Sequence, residues 1–121
     1  MNSFLDNVFV KKEKRRRRAY ELQDELYEFL EKSATEYSVS ISDILNVCIR
    51  DLIESNNLKI YENDKNNTYP AHKFSIDESN IKGLNELKES TMVTLTGLVS
   101  MAIRNVMTKE GWENGEQKEE E

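Results

Sequence analysis

Two blocks of hydrophobic residues in the first half of the chain recur at helical spacing. The first block runs from Asp24 to Tyr37, where apolar side chains every three or four residues are separated by glutamates and a lysine. The second block follows Ser40, which can cap a helix, and Asp43 completes a capping-box pattern with it. The two patterns predict two amphipathic helices.

The second half of the chain shows a strand pattern followed by two further helical patterns. His72, Phe74 and Ile76 alternate with polar residues, which is the period of a short strand. One helix is predicted around Leu84, and a second is predicted before Gly111, a plausible stop. The stretch from 56 to 70 is rich in Asn, Lys and Asp and contains the only proline, so it is predicted to be a linker.

The second half repeats the first at a constant offset of 54 residues. VSISDILNVCIRDLI from Val39 aligns with VTLTGLVSMAIRNVM from Val93, with apolar residues, hydroxyl pairs and one arginine in matching places. The same offset aligns Tyr20 with Phe74, so each half is predicted to be a strand followed by two helices. One such half of about 40 residues cannot bury its own apolar surface, whereas two halves that share a core can.

This arrangement resembles the ribbon-helix-helix family of DNA-binding proteins. The resemblance extends from Arg17 to Met107 apart from the linker, and its mark is valine, Ser/Thr, any residue and Ser/Thr at the start of each second helix. In the family, as in the Arc and MetJ repressors, two strands form an antiparallel ribbon that enters the DNA major groove. Two copies in one chain are similar to the TraY-type proteins of conjugative plasmids.

The resemblance implies a mainly α fold with a short two-stranded antiparallel β-ribbon, in which two tandem ribbon-helix-helix units share one core. The expected organisation is a flexible basic arm over residues 1–16, units over 17–55 and 71–111, a linker over 56–70 and a disordered acidic tail over 112–121. The implied function is sequence-specific binding of double-stranded DNA, by a transcriptional repressor or by an accessory factor of plasmid or phage DNA. Pseudo-dimers of this type are expected to associate on repeated sites.

The resemblance also implies which side chains contact DNA. The ribbon positions that read bases are Arg17, Ala19 and Glu21 on the first strand and Ala71, Lys73 and Ser75 on the second. Two alanines and an acid leave this set poor in hydrogen-bond donors. We therefore expect the ribbon to contribute less to DNA binding, and the basic arm to contribute more. The positions expected to bind phosphate begin the second helices: Ser40, Ile41, Ser42, Thr94, Leu95 and Thr96. Capping of the helices alone would select the same hydroxyl residues.

Charge along the chain is strongly uneven. The formal net charge is −6, yet seven of the 17 lysines and arginines lie between Lys11 and Arg18. A polyanion would neutralise such a run, so it is interpreted as a DNA-binding arm made by Lys11, Lys12, Lys14, Arg15, Arg16 and Arg18. The alternatives are a solubilising tail and a tail that lies on a membrane surface.

The remaining composition argues against several functions. A single cysteine, Cys48, and a single histidine, His72, are too few for a disulfide framework or a cysteine zinc site, and they suggest no catalytic pair. We therefore expect no enzymatic activity, no cofactor and no metal, in a cytoplasmic protein that does not enter membranes. The alternative function is an antitoxin-like or structural module that binds a protein through its apolar N-terminal residues, Phe4, Leu5, Val8 and Phe9, together with Trp112.

Overall fold

The computed structural model of the chain describes residues 13–59, 69–113 and 116–117. The elements of the first half are β1 (Arg15–Glu21), α1 (Asp24–Tyr37) and α2 (Ile41–Ser55). Those of the second half are β2 (Ala71–Asp77), α3 (Glu78–Thr91) and α4 (Leu95–Lys109), followed by the short strands β3 (Trp112–Glu113) and β4 (Glu116–Gln117). The fold is mainly helical with a two-stranded antiparallel sheet, as predicted. No helix among the described residues is both long and apolar enough to span a membrane.

The helices follow the sequence repeat residue for residue. α3 begins and ends 54 residues after α1, and α4 does so after α2. The turns between the helices also match, since Ser38 and Met92 both have left-handed backbone conformations. The strands deviate from the offset by two residues, because β1 both begins and ends two residues earlier than the repeat would place it relative to β2.

Local capping explains where α2 and α4 begin. The Ser40 hydroxyl accepts a hydrogen bond from the Asp43 amide at 3.0 Å, and the Ser40 amide donates to the Asp43 carboxylate at 3.1 Å. This is the capping box that the sequence predicted. In α4, Thr94 accepts from the Gly97 amide at 3.0 Å, and a glycine replaces the acid of the box.

β1 and β2 pair over seven residues, and we call this pair the ribbon. Tyr20, Phe74 and Ile76 are buried beneath it, as the alternation of each strand predicted. The register places Ala19 opposite Lys73, and these two positions are equivalent in the repeat. The two residues that face each other near the middle of the ribbon are therefore related to each other by the sequence repeat.

All four long helices and both ribbon strands contribute to one cluster of buried hydrophobic residues. α2 and α4 are its central helices, and their buried faces meet each other. Cys48 lies in this cluster with no exposed surface, and burial raises the pKa of its thiol. Its predicted role as a small buried hydrophobe is confirmed.

The structure departs from the sequence prediction at both ends. Arg15 and Arg16, assigned to a flexible arm that ended at residue 16, are part of β1. They join the strand because acidic side chains near the start of α3 and in α2 bind them. Part of the tail, expected to be disordered, pairs as β3 with β4, and Trp112 packs edge-on against Phe29 with ring centroids 5.2 Å apart.

Candidate nucleic-acid interface

The six ribbon residues predicted to contact DNA lie on one face of the ribbon, which we call the outer face. The register pairs Arg17 with Ser75, Ala19 with Lys73 and Glu21 with Ala71, and residues paired in this way project to the same side of a sheet. Ser75 is half-buried and the other five are exposed. The outer face is opposite the face that covers the core.

Two cations dominate the outer face. Arg17 and Lys73 are diagonal neighbours across the strands, a relation that puts two residues about 7–8 Å apart, with their β-carbons somewhat closer. Glu21 lies at the far end of β1 from the basic run and faces Ala71. Positive charge is therefore concentrated towards the centre and the Arg15 end of the face.

Arg15 is not available as an arm residue. Its Nε atom contacts the Asp77 carboxylate at 2.7 Å, and its Nη1 atom contacts the Asp43 carboxylate at 2.8 Å. Arg50 reaches the other oxygen of Asp77 at 2.9 Å. Because Asp77 and Asp43 are almost fully buried, these two arginines neutralise carboxylates inside the protein.

The other arm residues lie in different environments. Arg16 is exposed and contacts Glu78 at 2.8 Å, while Arg18 is exposed and donates to the carbonyl of Arg17 at 2.8 Å. Lys14 is exposed just before β1. Lys11 and Lys12 lie outside the described residues. Arg16, Arg18 and Lys14 thus remain accessible to a polyanion.

The start of α2 is largely occupied by contacts within the protein. Ser40 and Asp43 form the capping box, and the Ser42 hydroxyl accepts from the Ser75 amide at 2.9 Å. The Asp43 carboxylate, which is paired with Arg15, also accepts from the Ser40 amide, so that donor is not free for a phosphate. These observations favour capping over phosphate contact for Ser40 and Ser42, with the half-buried Ile41 between them.

The start of α4 differs in charge from that of α2. Thr94 caps the helix, and no acidic residue lies in its first turn. Thr94 is exposed, while Leu95 and Thr96 are half-buried. Of the two helix starts proposed to bind phosphate, this one lacks the opposing carboxylate.

Asn46 is a site-supporting residue that the sequence reading missed. Its amide donates to the Ser75 carbonyl at 2.9 Å and its oxygen accepts from the Asp77 amide at 2.8 Å. Asn80 donates to the same oxygen at 3.0 Å. Together with Ser42, Asn46 satisfies the free edge of β2 at Ser75 and Asp77. An asparagine in the apolar face of α2 was the available signal, because a buried amide needs partners.

Other chemistry is sparse in the part of the chain that the structure describes. Those residues include no group of three or more His, Cys, Asp or Glu side chains placed to hold a metal ion. Trp112, which the protein-binding alternative required, packs on Phe29 and lies under the ammonium of Lys32 at 5.5 Å. Phe4, Leu5, Val8 and Phe9 lie outside the described residues.

Comparison with known proteins adds no assignment. The chain matches no protein-family model, no curated protein and no solved structure with which it was compared.

Proposed function

We propose that this protein binds double-stranded DNA by inserting the outer face of its ribbon into the major groove, as a single-chain ribbon-helix-helix regulator. The observation that carries the proposal is the register of β1 and β2, which gathers Arg17, Ala19, Glu21, Ala71, Lys73 and Ser75 on one accessible face. A two-stranded ribbon fits a major groove about 12 Å wide. In this proposal, the two strand-helix-helix halves are the tandem units and their common hydrophobic cluster is the shared core.

The charges of the face support two different kinds of contact. Arg17 and Lys73 can donate to guanine acceptors, and Ser75 can contact either a donor or an acceptor. Arg16, Arg18 and Lys14 at the edge of the ribbon suit phosphates, which carry no direct sequence information. Because the face offers few donors, backbone contacts supply much of the affinity.

The two helix starts contribute unequally in this proposal. A phosphate is favoured at the first turn of α4, where free amides and the helix dipole act without an opposing acid. It is disfavoured at α2, where the reciprocal capping bonds of Ser40 and Asp43 already take up amides of the helix start. The protein therefore anchors one side of the DNA more firmly than the other.

The test is a binding measurement on selected and scrambled duplexes at one fixed salt concentration. Bound fragments are first selected from random duplex DNA, and affinity is then measured for Arg17→Ala and Lys73→Ala. Each loses about 1–3 kcal/mol on the selected site and much less on scrambled DNA if it contacts a base. Equal losses on both duplexes make the residue a phosphate contact.

The matched control is Lys88→Ala, which removes an equally exposed cation from the last turn of α3. We expect Lys88→Ala to leave the affinity for the selected duplex and for scrambled DNA unchanged. Arg50, late in α2, would not serve as a control because it binds the buried Asp77. If neither Arg17→Ala nor Lys73→Ala weakens binding to any duplex, the ribbon does not face DNA.

A further inference from the structure

A groove of about 390 Å³ lies between β1 and α3, on the side of the ribbon away from the outer face. We call it the α3 groove, and it is lined by Arg16 and Arg18 of β1 and by Ile81, Lys82, Asn85 and Glu89 of α3, among others. Ile81 is half-buried and packs against the hydrophobic core. The proposed base contacts of the outer face do not use this groove, whereas Arg16 and Arg18 are shared with the proposed phosphate contacts.

The repeat shows what fills the equivalent place on the other side of the molecule. The 54-residue offset makes His72 equivalent to Arg18 and Tyr27 equivalent to Ile81. His72 and Tyr27 stack with ring centroids 3.9 Å apart and planes at 13°. On the α3 side an isoleucine replaces one ring, and Arg18 turns its guanidinium to the carbonyl of Arg17. The α3 groove therefore lies where the first half of the chain has two stacked aromatic rings.

The N-terminal segment starts at one end of this groove. The Glu13 carboxylate accepts from the amide and the hydroxyl of Ser79 at 3.0 and 2.8 Å, and the Lys14 carbonyl accepts from the Glu78 amide at 3.0 Å. Glu78 itself lines the groove. These contacts hold Glu13 at the first turn of α3, so the twelve preceding residues begin beside the groove.

Length and composition suit those twelve residues to the groove. Twelve residues extend to about 40 Å, whereas the 14 residues of α3 span about 21 Å, so the segment can reverse and run along the helix. Residues 1–10 include six apolar side chains, two of them phenylalanines, and only one charged side chain, Asp6. An aromatic ring over Ile81 would also lie near the guanidinium groups of Arg16 and Arg18, which bind aromatic faces.

We propose that residues 1–12 of this chain dock in the α3 groove and that the ring of Phe9 stacks on Ile81 as the ring of His72 stacks on Tyr27 in the other half. Phe9 is four residues from Glu13, close enough to reach Ile81 after a short turn. Docking buries the apolar residues of the segment and leaves Lys11 and Lys12 beside the end of the ribbon. The proposal is independent of whether the outer face binds DNA.

The test is a nuclear Overhauser measurement on the full chain with labelled phenylalanine rings and isoleucine methyl groups. Docking gives cross-peaks between the Phe9 ring and the Ile81 methyls, together with a ring-current shift of those methyls. In Phe9→Ala the cross-peaks disappear and the Ile81 methyls shift away from their ring-current position. The control methyls are those of Ile53, which is also half-buried and packs on α3 near Gly83, and they do not move.

Two results would overturn the proposal. One is the absence of any Phe9 contact with Ile81, with Ile81 methyl shifts identical in the wild type and in Phe9→Ala. The other is a set of cross-peaks that appears only between differently labelled chains in a mixed sample. That second result would assign the groove to the N-terminal segment of a second copy.

Discussion

Arg15 and Arg17 project to the same side of β1, yet their surroundings give them different roles. Arg15 lies where α2 approaches the ribbon and binds two buried carboxylates. Arg17 is exposed at a position opposite Ser75. The first arginine stabilises the fold, and the second is free to serve the outer face. A run of four arginines in the sequence does not reveal this difference.

Replacing Arg15 with alanine should reduce the free energy of unfolding by about 2–3 kcal/mol. The change leaves the buried carboxylates of Asp43 and Asp77 with one cation fewer, and a buried charge without its partner is costly. Urea unfolding followed by circular dichroism measures the loss. Arg17→Ala is the matched control and should change stability by less than about 0.5 kcal/mol. Equal stability of the two variants would contradict the assigned role of Arg15.

At the scale of elements, the two second helices are equal in length but differ in their first turns. α2 begins with a complete capping box that includes Asp43, and α4 begins with a threonine cap and Gly97. Ser42 and Asn46 of α2 also satisfy the edge of β2. These bonds occupy the edge at Ser75 and Asp77, so that part of β2 is not available to pair with a further strand.

The contact of Glu13 with the start of α3 should make the stability of the protein depend on pH. Hydrogen bonds from the amide and hydroxyl of Ser79 hold the pKa of Glu13 below its ordinary value of 4.5. Since the folded pKa is the lower one, this contact stabilises the protein above about pH 4.5 and its contribution disappears as pH falls through the folded value. A carboxyl NMR titration should give a Glu13 midpoint below 4.5.

The matching variant for this contact is Glu13→Gln, which removes the charge and keeps the length of the side chain. Its stability should vary less with pH between about 3 and 5 than that of the wild type. The stabilities of the variant and the wild type should differ least at the acid end of this range. A Glu13 midpoint at or above 4.5 would show that the carboxylate does not cap α3 in solution.

At the scale of the whole molecule, both halves of the chain build one hydrophobic cluster. Neither half has a separate core, because α2 and α4 bury their apolar faces against each other. We expect a single unfolding transition whose midpoint does not change with protein concentration. Calorimetry over a hundredfold concentration range tests this expectation. A midpoint that rises with concentration would indicate an obligate dimer of chains.

The proposed DNA-binding face has a further consequence for the target sequence. Under the repeat, Arg17 is equivalent to Ala71, Ala19 to Lys73 and Glu21 to Ser75, so no position carries the same residue on both strands. An asymmetric face should therefore select an asymmetric site, in contrast to the palindromes that symmetric dimers select. Selection from random duplex DNA provides the measurement. A perfectly palindromic consensus would contradict this prediction.

The basic segment ahead of the ribbon should affect the salt dependence of binding. Neutralising both Lys11 and Lys12 with glutamine should reduce the slope of log affinity against log salt by up to about 1.8, because each phosphate contact contributes about 0.9. Lys88→Gln should leave the slope unchanged. A slope that stays the same in the double variant would show that these two lysines do not contact the backbone.

Much of the architecture was predictable from the sequence because it depends on local periodicity. The helical spacing predicted α1 with its observed ends, the capping box predicted the start of α2, and alternation predicted which side of each strand is buried. The repeat predicted two equivalent halves, and the helices keep its offset of 54 residues at both ends. Alternation also grouped the six outer-face residues, since a strand presents every second side chain to one side.

Only the tertiary structure decided which charges and rings have partners. Arg15, Arg17 and Arg18 look alike in the sequence, but the distant residues Asp43 and Asp77 bind only the first of them. The pairing of Trp112 with Phe29 and the groove beside Ile81 likewise depend on contacts between remote segments. Periodicity fixes the direction of a side chain within its own element. What that side chain meets depends on how elements far apart in the chain pack together.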